Sequence, residues 1–190
     1  QTIWITGGSS GIGFSTAKKF LDSKWRVIIS SSNLEKLERA KIHLLKKTIL
    51  GELHYIKCNI ALKEEVNKTI TFIEKNIAPI NLALLNAAAY SPNKKQEFNI
   101  KNYELLLDVN LKGTIYCLNY LKNCMKHRGG HIAIVSSPIG YRGWPTSGAY
   151  GMTKAAQLNL AESLYFDFKK LNIRISLIIP DFVDPEPTRL

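Results

Sequence analysis

Short apolar runs alternate with amphipathic stretches along almost the whole chain, and this alternation predicts most of the fold. The runs "TIWIT" (2–6), "WRVIIS" (25–30), "LHYIKC" (53–58), "INLALLNA" (80–87), "HIAIVSS" (131–137) and "IRISLIIP" (173–180) read as strands. Between them, apolar positions recurring every three to four residues predict helices over 12–22, 34–47, about 62–76, about 101–126 and 149–170. In the second of these, Leu34, Leu37, Ile42 and Leu45 share one side. Pro79 and the "RGG" at 128–130 punctuate the pattern. Strands so uniformly apolar are expected to be buried on both faces, which is the habit of a parallel sheet. Six strand–helix alternations without an internal repeat or linker predict one α/β domain over 1–190, a doubly wound and mostly parallel sheet with helices on both faces. Such sheets bind ligands outside the carboxyl ends of their strands, where the strand order reverses. Functional residues should therefore follow strands directly.

Composition narrows the class. With 45% hydrophobic and 22% charged residues over 190 positions, the chain is an ordinary globular one, long enough to bury a core. No apolar run reaches the roughly 18 residues of a membrane span. The opening "QTIWITGG" lacks a basic segment followed by an apolar one, so a cytoplasmic protein without a membrane partner is expected. The net charge of +11 raises the possibility of a polyanionic partner. Yet "LEKLERAKIHLLKK" mixes both signs along a helix, with neither zinc-finger spacing nor an aromatic–arginine platform, so no nucleic-acid partner is expected. Cys58, Cys117 and Cys124 form no metal-ligand spacing and cannot all pair. Reduced, structural thiols and no metal site are the expectation.

The chemistry begins with "TGGSSGIG" (6–13), set between the first strand and the first helix. Small residues here make a tight turn and let the backbone approach a pyrophosphate, whose charge the helix amides and dipole then hold. The spacing Gly7, Gly11, Gly13 differs from G-x-G-x-x-G. It resembles the opening motif of the short-chain dehydrogenase/reductase family, Thr-Gly-x-x-x-Gly-x-Gly. That resemblance implies a Rossmann-type fold, an NAD or NADP cofactor and a bracing role for Thr6. It also implies that Gly7, Ser9, Ser10, Gly11, Ile12 and Gly13 lie along the cofactor.

A Tyr-x-x-x-Lys spacing occurs three times, at Tyr90–Lys94, Tyr150–Lys154 and Tyr165–Lys169, so the spacing alone selects none. The family carries a serine after its fifth strand, a tyrosine thirteen residues on and a lysine four beyond that. Ser137, Tyr150 and Lys154 match this arrangement. Tyr90 has no such serine upstream, and Met152 stands thirteen before Tyr165, so those two pairs read as surface chemistry. The resemblance makes Ser137, Tyr150 and Lys154 catalytic. Reducing a ketone by hydride transfer leaves an alkoxide that needs a proton, and a phenol of ordinary pKa about 10 is a weak donor. An ammonium one helical turn away should stabilise the phenolate and lower that pKa, while Ser137 steadies the developing charge. By the same resemblance Lys154 binds the nicotinamide ribose. Asn110, in "DVNLKG", would distort its helix and hold a water leading to Lys154 as the fourth catalytic member. Read without the resemblance, Asn110 could instead be a polar residue on a solvated helix face, the less favoured alternative.

Further positions follow from the resemblance. In "LLNAAAYS", Asn86 and Ala87 match the family's Asn-Asn-Ala-Gly, with Ala88 where the family has Gly. Strand two ends in Ser30, Ser31 and Ser32, with neither the Asp typical of NAD nor the Arg common for NADP. Ser31 and Ser32 are expected beside the adenosine ribose, and since no carboxylate would exclude a 2′-phosphate, NADP(H) is favoured over NAD(H). Asn59 and Ile60 after strand three, and Pro180 and Val183 after strand six, complete the expected cofactor contacts. The segment "PIGYRGWPTSG" should line the substrate pocket, with Ile139, Tyr141 and Trp144 as apolar walls; Arg142 could recognise an anion, but an exposed structural role is favoured. A mostly apolar carbonyl compound or secondary alcohol is the implied substrate. Family members form homodimers or homotetramers through the helices flanking strand five, here about 101–126 and 149–170. They also continue through a substrate-covering loop, a further helix and a seventh strand, so the native chain is expected to extend beyond Leu190. The function implied is an NAD(P)-dependent oxidoreductase; the alternative is a cofactor-binding sensor or interaction protein that retains the fold.

Overall fold

A computed structural model describes residues 1–46, 50–91 and 98–181. Six strands, β1 (Thr2–Thr6), β2 (Arg26–Ser31), β3 (Glu52–Lys57), β4 (Leu82–Leu85), β5 (Gly130–Val135) and β6 (Ile173–Ile178), form one parallel sheet in the order β3-β2-β1-β4-β5-β6. The helices are α1 (Gly11–Asp22), α2 (Leu34–Leu45), α3 (Lys63–Asn76), α4 (Ile100–Leu106), α5 (Gly113–Met125) and α6 (Gly148–Lys169). This is a Rossmann-like α/β fold. The chain steps outward from β1 through β2 to β3, then returns to the other flank of β1 as β4. The switch point therefore lies between β1 and β4.

The period-two alternation within each strand assigns its residues to two cores. Ile3, Ile5, Val27, Ile29 and Leu84 pack with Ala17 and Leu21 of α1 and Leu37 and Ala40 of α2. Trp4, Ile28, Ala83, Leu85, Ile132 and Ile134 face the other way, towards Ile70 and Ile73 of α3, Leu118 and Leu121 of α5, and Ala161 and Phe168 of α6. Trp4 is fully buried, and its indole N–H finds Ser30 Oγ at 3.1 Å, which removes the cost of an unpaired donor. Burial on both faces holds for β1, β2 and β4. The outer strands differ: β3 has no fully buried residue and β6 alternates buried with open positions, because an edge strand has one neighbour and thinner helix cover.

Element limits depart most from the sequence pattern at four places. β4, β5 and β6 each end two residues sooner than their apolar runs, as the chain turns away from the ladder to build the cleft. The helix expected over 101–126 is three pieces: α4, a π-helical segment over Leu107–Lys112, and α5. All three cysteines are free thiols; Cys58 and Cys117 are buried, and burial pushes the half-buried Cys124 up to about 11. Among the described residues no helix is long and apolar enough to cross a membrane.

Candidate active site

The first turn is sewn to the end of β4. Thr6 Oγ1 accepts from the backbone N–H of Asn86 at 3.0 Å and of Ala87 at 3.1 Å, and donates to the Leu84 carbonyl at 3.3 Å. Asn86 returns the contact, its Nδ2 donating to the carbonyls of Thr6 and Gly7, each at 3.1 Å. Two glycines make this proximity possible. Gly7 has φ +67°, and a Cβ there would stand 2.8 Å from Ala87 Cα. A Cβ on Gly13 would lie 2.4 Å from the Gly7 carbonyl oxygen. Helix α1 then begins with no side-chain cap from Ser10 and no acidic residue in its first turn. Its first amides and the positive end of its dipole are left for an external anion.

A cleft of about 1440 Å³ opens along the carboxyl ends of the strands, astride the switch point. The positions singled out in the sequence converge on it from seven segments. Gly7, Ser9, Ser10, Gly11 and Ile12 line it from the first turn, Ser31 and Ser32 from β2, Asn59 and Ile60 from β3, and Asn86, Ala87 and Ala88 from β4. Ser137, Ile139, Trp144, Tyr150, Lys154 and Pro180 complete its other half. Thr6, Gly13 and Asn110 stand behind the wall rather than in it. Tyr141 is a correction: it is 68% exposed and does not line the cleft. The single 3₁₀ turn Pro138–Gly140 rotates successive residues by about a third of a circle, so Ile139 enters the cleft while Tyr141, following the turn, reaches solvent. Val183 lies outside the described residues.

At the centre, Tyr150 is held on the first turn of α6. Burial pushes its phenol up, the neighbouring Tyr90 adds to this, and a hydrogen bond with the Ser137 hydroxyl pulls the other way. This corrects the expectation of a lowered phenol: in the protein alone the hydroxyl is held protonated. Lys154, 2% exposed, is pushed down to about 8 by burial alone. Its Nζ donates to the Val135 carbonyl at 2.9 Å and to Gln157 Oε1 at 3.0 Å, and lies 5.4 Å from the Tyr150 ring centroid. The two serines after β5 divide their work. Ser136 Oγ anchors α6 through the Lys154 carbonyl at 3.0 Å, leaving Ser137 beside the phenol.

Asn110 is fully buried in the π-helical segment, so it is no solvated surface residue. Its side chain grips the β4 loop, accepting from Ala89 N–H at 2.7 Å and donating to the Ala89 carbonyl at 3.0 Å. Nδ2 also reaches Thr153 Oγ1 at 3.1 Å. Gln157 joins Asn110 to Lys154 by a side chain: its Nε2 donates to the Asn110 carbonyl at 2.8 Å and its Oε1 accepts from Lys154 Nζ at 3.0 Å.

Tyr90, expected at the surface, is 62% exposed and also lines the cleft, its ring edge-on to Tyr150 with centroids 4.9 Å apart. Lys19 of α1 and Lys36 of α2 line the cleft too. The third spacing does remain at the surface, with Lys169 Nζ 5.7 Å from the Tyr165 ring centroid.

The model of the short chain dehydrogenase family matches residues 1–189. The chain belongs to the short-chain dehydrogenase family. Membership implies oxidoreductase chemistry with a nicotinamide cofactor. Among curated relatives, a 3-oxoacyl-[acyl-carrier-protein] reductase of Rattus norvegicus is 30% identical over 97% of this chain and 76% of its own length. An oxidoreductase of Staphylococcus epidermidis is 24% identical over 97% of this chain and 78% of its own. Among solved structures, an NAD+-bound xylitol dehydrogenase superposes with a TM-score of 0.89 at 25% identity, over 97% of this chain and 71% of that one. A short-chain type dehydrogenase/reductase from Mycobacterium ulcerans shares the fold, with a TM-score of 0.91 at 23% identity over 100% of this chain and 69% of that one.

Proposed function

We propose that this short-chain dehydrogenase interconverts a carbonyl compound and a secondary alcohol, with Tyr150 as the proton donor and acceptor. The observation that carries the reading is the convergence of Tyr150, Ser137 and Lys154 on one cleft whose other half begins at an uncapped helix N-terminus. The cradle suits a dinucleotide: Gly7 and Gly13 leave the room that side chains would fill, and the first turn of α1 offers amides to a pyrophosphate. Gly7, Ser9, Gly11 and Ile12 would hold that part, Ser31 and Ser32 the adenosine ribose, Asn59 and Ile60 the adenine, and Lys154, Ala88 and Pro180 the nicotinamide half. Hydride transfer is the chemistry that the nicotinamide supplies when bound.

The protein's own part is proton management. A phenol pushed up by burial keeps its proton at neutral pH, which suits a donor to the oxygen of a carbonyl being reduced. As the proton leaves, the Lys154 ammonium, 5.4 Å from the ring, stabilises the new negative charge. Ser137 keeps the phenol and the substrate oxygen aligned by donating a hydrogen bond. Tyr90, Ile139 and Trp144 give the substrate end apolar surface, consistent with a mostly apolar substrate. The names of the rat reductase and of the xylitol dehydrogenase lie on the two sides of the same carbonyl–alcohol conversion.

NADP(H) is the favoured cofactor. After β2 the cleft presents Ser31, Ser32 and Asn33, its lining includes Lys19 of α1 and Lys36 of α2, and Asp181, beyond β6, is the one acidic lining residue among those described. Hydroxyls and ammonium groups accommodate a 2′-phosphate that a carboxylate would repel. One experiment tests the whole reading: the purified protein and Tyr150→Phe, with NADPH or NADH and a panel of carbonyl compounds. NADPH should bind more tightly than NADH, and the variant should lose at least about a hundredfold in turnover. Unchanged turnover in the variant would remove Tyr150 from the mechanism, and binding of neither nucleotide would sink the reading.

A further inference from the structure

Behind Lys154 lies a buried polar cluster that proton donation by Tyr150 does not by itself require. Gln157, three residues along α6, is 1% exposed. Its Nε2 donates to the Asn110 carbonyl at 2.8 Å and to Thr114 Oγ1 at 2.9 Å. Thr114 Oγ1 sends its own proton to the same carbonyl at 2.7 Å, so it can only accept from Gln157. Both amide hydrogens are thereby engaged and the amide cannot be turned end for end. Its Oε1 must face Lys154, where it accepts from Nζ at 3.0 Å. The Val135 carbonyl takes a second N–H at 2.9 Å. A primary ammonium has three, so one remains for the cleft that Lys154 lines.

We propose that Gln157 is the positioning residue of Lys154. Its amide ties the amine directly to the π-helical turn and, with the Val135 carbonyl, fixes two of its three N–H directions so that the third serves the Tyr150 side of the cleft. The role in catalysis rests on the reading of Tyr150 and Lys154 given above; the tie between Gln157 and the amine does not.

Among the described residues no charged side chain does this work instead. On the elements packed against α6, Asp108 and Lys112 of the π-helical turn pair with each other at 2.7 Å near the surface. Tyr103 of α4 lies against Gly148, Tyr141 stands in solvent, and Arg174 of β6 acts on His131. On α6 itself Tyr150 is the titratable neighbour. Two neutral carbonyl acceptors therefore favour the ammonium against its burial. Hydrogen bonding to a charged form stabilises that form, so removing one acceptor should make the amine release its proton sooner.

Gln157→Met keeps the length of the side chain and removes all three amide contacts, while Gln157→Glu restores an acceptor facing the amine. The direct readout needs no cofactor: an NMR titration of protein carrying 13C at the lysine ε-carbon, with the Lys154 signal assigned by its loss in Lys154→Met. In Gln157→Met the Lys154 midpoint should fall by about one pH unit, the equivalent of one hydrogen bond to a charged group. In Gln157→Glu it should return to the wild-type value or rise above it. In carbonyl reduction with NADPH, Gln157→Met should lower kcat about tenfold with little change in KM, and Gln157→Glu should recover part of that loss. A Lys154 midpoint unmoved in folded Gln157→Met overturns the proposal. So does a fall in Gln157→Glu, which decides the matter alone if the Met variant does not fold. Midpoints that move as stated in a protein that turns over no substrate would keep the tie and overturn the oxidoreductase reading.

Discussion

Lys154 gives the buried amine a signature that can be measured without cofactor or substrate. Burial brings its pKa from 10.5 to about 8. Between those values the unfolded chain holds a proton that the folded chain has released. Stability must therefore rise with pH across that window. At pH 7 the folded amine is charged and the full burial cost is present; by pH 9 much of it has been relieved. From this one group, folding gains about 1.4 kcal/mol between pH 7 and pH 9, and about 3 kcal/mol once the window is crossed. Lys154→Met removes the titration and keeps the side-chain length. Urea denaturation of both proteins at pH 7 and pH 9 isolates the effect, because titrations common to the two cancel in the double difference. The wild type should gain about 1.4 kcal/mol more than the variant over that step. A double difference within about 0.3 kcal/mol of zero would mean that the folded amine titrates like an unfolded one, and the burial argument would fail.

The suture between β1 and β4 and the glycine cradle make two further predictions. Thr6→Val leaves the N–H groups of Asn86 and Ala87 without their acceptor, which should cost about 2–4 kcal/mol and lower Tm by about 5–15 °C in a thermal melt; a shift under about 2 °C would show that the two amides find other partners. Gly13→Ala sets a methyl 2.4 Å from the Gly7 carbonyl oxygen and should cost about 1–3 kcal/mol and weaken dinucleotide binding. Gly143→Ala, with nothing within 4 Å of the added Cβ, should stay within about 0.5 kcal/mol of the wild type, and equal effects of the two substitutions would refute the packing account.

What the sequence revealed and what it hid divide along a physical line. The alternation of strands and helices was legible because burial on two faces leaves an apolar run that needs no knowledge of neighbours. The order of the strands leaves no such mark, so β3 and β6 looked like inner strands. The glycine turn and the Ser137–Tyr150–Lys154 spacing are local patterns and could be read along the chain. Strand ends are not legible where a distant group intervenes: Asn86 leaves the ladder because its N–H is taken by Thr6, 80 residues away. The place of Tyr90 in the cleft leaves no local mark for the same reason, since its contact with Tyr150 joins two separate elements. Gln157 did leave a signal. Tyr150, Lys154, Gln157, Leu158 and Ala161 fall on one face at helical spacing, and an amide on that apolar face required a partner.

The position of β1 has a consequence for how the molecule forms. This strand pairs with β2, its next neighbour in sequence, and with β4, from which it is separated by three helices and two strands. Pairings across such distances are entropically late, and sheets built on them fold slowly. The cleft straddles that late seam. The early half, from β1 to β3, holds the glycine turn without Asn86 to hold it shut, and without Ser137, Tyr150 or Lys154. Nucleotide affinity should thus arise in a single step during refolding, when β4 docks, and a ligand present at that moment draws the two halves together by mass action.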